Sequence, residues 1–152
     1  RYVIAEASES ATGREIALTR ADTDNFIRAK GAIFSAITTM LEQAGLAVAD
    51  IEQVLVAGGI GSGINMQSAV TIGMLPDLPL STFHYIGNSA LTGAYAMLCS
   101  ADADANVRTI QNGMTYLELS AVPGYMDAFV AACFLPHTDA ALFPSVKKEA
   151  RP

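Results

Sequence analysis

Four glycines fall within six positions in Gly58-Gly59-Ile60-Gly61-Ser62-Gly63, where an apolar run, Val54–Ala57, gives way to a helical pattern. Glycine weakens local structure, so such a turn needs bare backbone for a reason. Either the turn requires positive φ and tight packing, or a ligand comes up against the main chain. No Lys-Ser/Thr pair follows, so this is not a Walker loop, and Ile64 stands where a dinucleotide fingerprint needs its third glycine. A second turn, Ile86-Gly87-Asn88-Ser89, again sets glycine and a small polar residue between a strand and a helix. Two such turns at the carboxyl ends of sheet strands line one crevice, where ligands bind in open α/β sheets. The simplest role for Asn88 is a helix N-cap, and for Gly93 close helix packing.

A third group lies on one helix. Ile27, Lys30, Gly31 and Phe34 in FIRAKGAIFS have helical neighbour spacing and offer a cation stem, a bare patch and a ring. Arg28 and Lys30 can equally be a solvated face, with Phe26 and Phe34 in the core. Gly31 in mid-helix costs about 1 kcal/mol against Ala, so packing or a ligand must explain it. The remaining chemistry-bearing residues form no constellation. His84 sits in a strand pattern, and His137 follows Pro136 as a surface residue. No elbow-type Ser lies near either. Asp102 and Asp104 read as a helix start, and Glu118 as an exposed strand position.

Composition excludes several functions. The net charge is −6, and Arg108 is the only cation between Lys30 and Lys147. No cation cluster exists for nucleic acid. Any bound phosphate must rely on backbone N–H groups, a helix N-terminus or a metal. No apolar run reaches membrane-spanning length. Cys99 and Cys133 read as buried thiols of a reducing compartment, so cytoplasm is the expected location. With 152 residues the chain suffices for one domain. It opens RYVIAE, without initiator Met or leader, which leads to the expectation of a piece from a longer protein.

The elements that position these residues alternate. Tyr2–Ala7 and Arg14–Thr19 read as a hairpin around Ser8–Gly13. Thr19 to Ala44 is helical, with Asp22 as N-cap, Gly45 at C′, and an apolar stripe of Phe26, Ile33, Ile37, Met40, Leu41 and Ala44. Gln53–Ala57 reads as a strand buried on both faces. Ile64–Met74 is a helix, Ser81–Ile86 a strand, and a helix follows through Leu98. Asp102–Asn112 is helical, Met114–Ser120 a last strand, and Pro123–Pro136 an amphipathic helix. The fold class is α/β, a mixed sheet with helices packed on it.

The phrases VLVAGGIGSGINMQSAVTIGMLP, YIGNSALTGAYAMLCS and MTYLELSAVPGYMDAFVAACFLP, with RAK on the long helix, resemble the C-terminal region of the reductive activators of corrinoid proteins. These belong to the ASKHA superfamily of actin, Hsp70 chaperones and sugar kinases. The resemblance covers Tyr2 to Pro144. It implies a ribonuclease-H-like second, adenosine-side half over residues 1–144, with a C-terminal β-α extension and a polar tail over 145–152. It also implies that Gly58, Gly59, Gly61 and Ser62 lie under the base and ribose of ATP, flanked by Ile27, Lys30, Gly31 and Phe34, with Gly87 and Asn88 nearby. Mg²⁺ would accompany ATP in the full-length protein. A [2Fe–2S] cluster would belong to a missing N-terminal domain. The implied partners are a corrinoid protein, the protein's own N-terminal domains and a second copy in a homodimer, with neither nucleic acid nor membrane. The implied function is ATP-dependent reduction of Co(II) to Co(I) in the corrinoid partner, with little activity from this piece alone. Other ASKHA halves, from a radical-dehydratase activator or a small-metabolite kinase, compete with this reading. So do a docking module without nucleotide and a degenerate half that has lost its affinity for it.

Overall fold

The computed structural model describes residues 1–59 and 61–149. Its elements are β1 (Tyr2–Ala5), β2 (Ile16–Leu18), α1 (Arg20–Gln43), β3 (Val54–Ala57), α2 (Met66–Thr71), β4 (Phe83–Gly87), α3 (Ser89–Cys99), α4 (Ala103–Gly113), α5 (Tyr125–Ala132) and α6 (Pro144–Glu149). The class is α/β, as expected. The strands among the described residues form two separate pairs: β1 antiparallel to β2, and β3 parallel to β4. The parallel pair sets Ala57 against Gly87, so the two glycine turns leave the same end of the sheet side by side.

The helix boundaries follow local chemistry. Thr19, not Asp22, caps α1: its hydroxyl accepts from Asp22 N, and the Asp22 carboxylate accepts from Thr19 N in a capping box. That exchange holds the Asp22 carboxyl below the usual carboxylate range. Gly45, at φ +71°, ends the helix as expected. Asn65 caps α2 and Asn88 caps α3 through their side-chain oxygens.

The face that α1 buries departs from the expected stripe. Phe26, Ile33 and Met40 are exposed, whereas Lys30, Gly31, Phe34, Ser35 and Thr39 are buried. The reason is α5, the main packing partner of α1. A Cβ on Gly31 would lie 3.0 Å from Cys133 Sγ and 3.3 Å from the Ala132 carbonyl, so the missing side chain admits the end of α5. Phe34 then meets Phe143 and His137 at ring-centroid distances of 5.2 and 5.4 Å. His137, expected at the surface, is half-buried, and its Nδ1 accepts from Asp139 N at 2.9 Å.

Three further expectations are corrected. Met114–Ser120 forms no strand; it is irregular and runs into a 3₁₀ turn at Leu119–Ala121. The extension is therefore helical and carries no β element of its own. Residues 145–149 of the expected tail belong to α6, whose start is held by Asp77, which accepts from Ser145 N at 2.8 Å and Ser145 Oγ at 2.6 Å. Residues 150–152 lie outside the described residues. The strand Val54–Ala57 is not buried on both faces either, because Leu55 is exposed.

Gly73 is the tightest glycine in the fold. At φ +73°, a Cβ there would lie 2.1 Å from the Pro136 carbonyl oxygen. Gly73→Ala should cost more than about 2 kcal/mol through combined strain and overlap, and Gly45→Ala about 1–2 through backbone strain alone. Urea denaturation of the two variants measures the difference. A second expectation concerns His137. Burial lowers its pKa first and the nearby Lys30 charge second, with Asp139 opposing. The folded state thus favours the neutral ring, and its stabilisation is present above pH 6.5 and lost as pH falls through the lower folded value. Thermal melting between pH 7 and 5 should show this slope, flattened in His137→Phe.

Candidate functional site

The site is the junction of the two turns at the carboxyl ends of β3 and β4. Gly58, at φ +88°, donates its N–H to the Gly87 carbonyl at 2.8 Å, and Gly87 itself stands at φ +71°. Both glycines are required by backbone geometry. Tyr85 reaches across from β4, its hydroxyl donating to the Gly58 carbonyl at 3.1 Å. Its ring packs on Gly61, where a Cβ would lie 2.8 Å from Val56 Cγ1 and 3.2 Å from Tyr85 Cε2. Ser62 is exposed and donates to the Gly59 carbonyl at 2.7 Å, closing the turn.

Gly59 differs from Gly58 and Gly61, and Gly63 shares its setting. Gly59 is exposed, its φ lies outside the left-handed range, and a Cβ there would meet nothing within 4 Å. The protein's own structure does not require glycine at that position. Gly58 also opens onto empty space. The two together make a bare, accessible strip of main chain beside the Gly87 turn, a shape that suits a flat ring lying against the backbone. Asn88 stands at the same junction, its side-chain oxygen accepting from Leu91 N at 3.0 Å and its carbonyl accepting from Thr92 Oγ1.

The α1 residues occupy a different setting. Lys30 is 0% exposed, and its ammonium donates to the carbonyls of Phe134 at 2.5 Å, Pro136 at 2.6 Å and Gly73 at 3.4 Å. Burial pulls its pKa down, with Cys133 partly opposing. Gly31 and Phe34 are buried against the C-terminal extension, and Ile27 is half-buried. The structure thus brings Gly58, Gly59, Gly61, Ser62, Gly87 and Asn88 together, and places Lys30, Gly31 and Phe34 in the packing between α1 and the extension. Tyr85 was not singled out from sequence; its alternation within FHYIG gave no sign that its hydroxyl reaches Gly58.

Among the described residues, no group of three or more His, Cys, Asp or Glu is placed to hold a metal. Cys99 is exposed and Cys133 half-buried, both as free thiols. No helix among the described residues is long and apolar enough to cross a membrane.

Comparison with known proteins finds a matching family model and two similar proteins. A family model described as the C-terminal domain of RACo, the ASKHA domain, matches residues 1–147. The corrinoid activation enzyme RamQ of Eubacterium limosum is 30% identical over 129 residues, which are 85% of this chain and 22% of that protein. A solved structure of a reductive activator for corrinoid,iron-sulfur protein superposes with a TM-score of 0.87 at 49% identity, covering 95% of this chain and 23% of the other. The chain spans less than a quarter of the length of either relative.

The different standing of the two adjacent glycines can be measured. Gly58→Ala should lose about 1–2 kcal/mol of stability through its left-handed backbone, whereas Gly59→Ala should stay within about 0.5 kcal/mol of the parent. Equal losses in chemical denaturation would remove the distinction.

Proposed function

The chain belongs to the family of C-terminal ASKHA domains of RACo, and on that premise we propose that it is the adenosine-side half of an ATP-dependent activator of a corrinoid protein. One observation carries the reading. Gly59, like Gly63 at the far end of the same turn, is a glycine that neither backbone conformation nor packing explains, and Gly59 is set beside Gly58 and Gly87 at the carboxyl edge of a parallel strand pair. Removing a side chain where the protein gains nothing from it makes room for something outside the chain.

In this reading Gly58 and Gly59 would lie against the base and ribose, with Gly61 and Ser62 shaping the turn and Gly87 and Asn88 forming its second wall. Ile27 stays in the proposal as a residue flanking the base, whereas Lys30, Gly31 and Phe34 are buried against the extension and the reading gives them no contact with the nucleotide. ATP with Mg²⁺ would supply the drive for reducing Co(II) to Co(I) in the partner. The phosphate and metal ligands fall to the part of the longer protein that precedes this half, together with a [2Fe–2S] cluster. The protein is expected in the cytoplasm, and a homodimer remains part of the proposal. What this half does is bind and orient the nucleoside and change affinity for a partner with its occupancy.

A docking role has its own support. α3 is apolar on all sides and exposed, with Leu91 at 67%, Tyr95 at 67% and Leu98 at 87%. Helices of that kind are ordinarily covered. The extension also exposes Met126, Val130 and Phe134. Docking alone predicts no dependence on nucleotide.

Calorimetry of the longer protein with ATP and Mg²⁺ separates the two. Gly59→Val should weaken binding by about tenfold or more, roughly 1.4 kcal/mol, while its melting temperature stays near that of the parent. Undiminished binding in a folded Gly59→Val protein would sink the nucleotide reading.

A further inference from the structure

The glycine turn and the C-terminal extension are joined through α2. The turn at Gly61–Gly63 leads directly to Asn65, the cap of α2, and α2 runs out at Gly73. At that exit the chain meets the extension at three points. The Gly73 carbonyl accepts from Lys30 Nζ, which also holds the Phe134 and Pro136 carbonyls. The Gly73 backbone lies so close to Pro136 that no side chain fits between them. Asp77, four residues on, holds the N-terminus of α6 through Ser145.

The three bonds of Lys30 are unequal. Those to Phe134 and Pro136 are 2.5 and 2.6 Å, and the one to Gly73 is 3.4 Å. An ammonium has three protons, and here each has one carbonyl. The long bond is the one to α2. A ligand that moved α2 from its preceding turn would move the Gly73 carbonyl relative to the ammonium, which the other two carbonyls hold more closely. Lys30 sits on α1, which packs on α5, so its own position is fixed independently of α2. The backbone it grips carries Phe134 and Leu135, whose side chains are 56% and 59% exposed.

We propose that Lys30 is a positioning residue that couples occupancy of the Gly58-Gly59 turn to the placement of the Cys133–His137 segment and its outward Phe134 and Leu135. The proposal rests on the nucleotide reading above. It adds a route by which an occupied turn is felt on the far side of α1, through a buried two-sided contact and not through the sheet.

Hydrogen exchange of the full-length protein, with and without ATP and Mg²⁺, tests it together with calorimetry. In the unmodified protein ATP should change exchange of the backbone amides in 133–138 by threefold or more. Lys30→Met should bind ATP within threefold of the parent yet lose that change. Lys30→Gln, which keeps two donors, should retain part of it, and it serves if the Met variant does not fold. ATP binding with no response in 133–138 overturns the coupling and leaves the nucleotide site standing. So does a full response in either folded variant. Absence of ATP binding in the unmodified protein overturns both.

Discussion

One buried ammonium organises the C-terminal part of this chain. Among the described residues Lys30 has no carboxylate partner; three main-chain carbonyls from two distant segments surround it instead. Burying a cation is costly unless its donors are matched, and here the count of protons and acceptors agrees. The arrangement works in the other direction too. The carbonyls of Phe134 and Pro136 lie outside any helix or strand, and each would cost about 1–3 kcal/mol if left without a donor. Lys30 therefore fixes which face of α1 meets α5, because only one rotation of the helix brings the side chain to those oxygens. Gly31, one position on, supplies the close approach that the same rotation demands. Among the described residues no buried side-chain nitrogen or oxygen lacks a partner, so this unusual interior is fully satisfied.

The glycines divide along the same physical line. Gly73, Gly61 and Gly31 are excluded from bearing side chains by neighbours, and Gly45, Gly58 and Gly87 by backbone conformation. Gly59 and Gly63 in the turn, and Gly93 and Gly113 elsewhere, fall in neither class. Glycine-rich turns are weak signals in sequence because these causes look identical there. Coordinates separate them one position at a time, and of the unexplained residues Gly59 lies at the edge where two strand ends meet. That is the only reason a turn of four glycines rises from a packing feature to a candidate site.

Much of the local structure was legible in the sequence, since its causes are local. Asn88 reads as a cap from its place before SALTGA, Gly45 as a helix terminator, and the two strand-to-turn transitions as neighbours at one sheet edge; all three hold. The buried face of α1 was not legible. Phe26, Ile33 and Met40 make the stronger apolar stripe, yet they are exposed, while Lys30 and Ser35 are buried. Periodicity assumes that apolar residues mark the interior, and it cannot see carbonyls arriving from more than a hundred residues later. His137 was misjudged for the same reason, because its neighbours Phe34 and Phe143 are distant in sequence on one side. Met114–Ser120 alternates like a strand but has no edge to pair with among the described residues, and pairing is what turns a pattern into a strand.

The distribution of charge limits what this chain can contribute. Arg108, the one cation between Lys30 and Lys147 in the sequence, is engaged with Asp104 on the surface of α4. Lys30 is spent inside the protein. A nucleotide held at the glycine turn would thus meet shape and main-chain groups, with no side-chain charge from this region aimed at its phosphates. Between Lys30 and Lys147 such a chain offers no free side-chain cation with which to read the difference between a triphosphate and its hydrolysis product. One response left to it is displacement of the turn, which travels along what is rigidly attached. β3 leads away from the turn into a two-stranded sheet with exposed residues on it. α2 leads to Gly73, where clearance is smallest and the buried ammonium waits. Mechanical transmission is therefore better supported through the helix exit than through the strands.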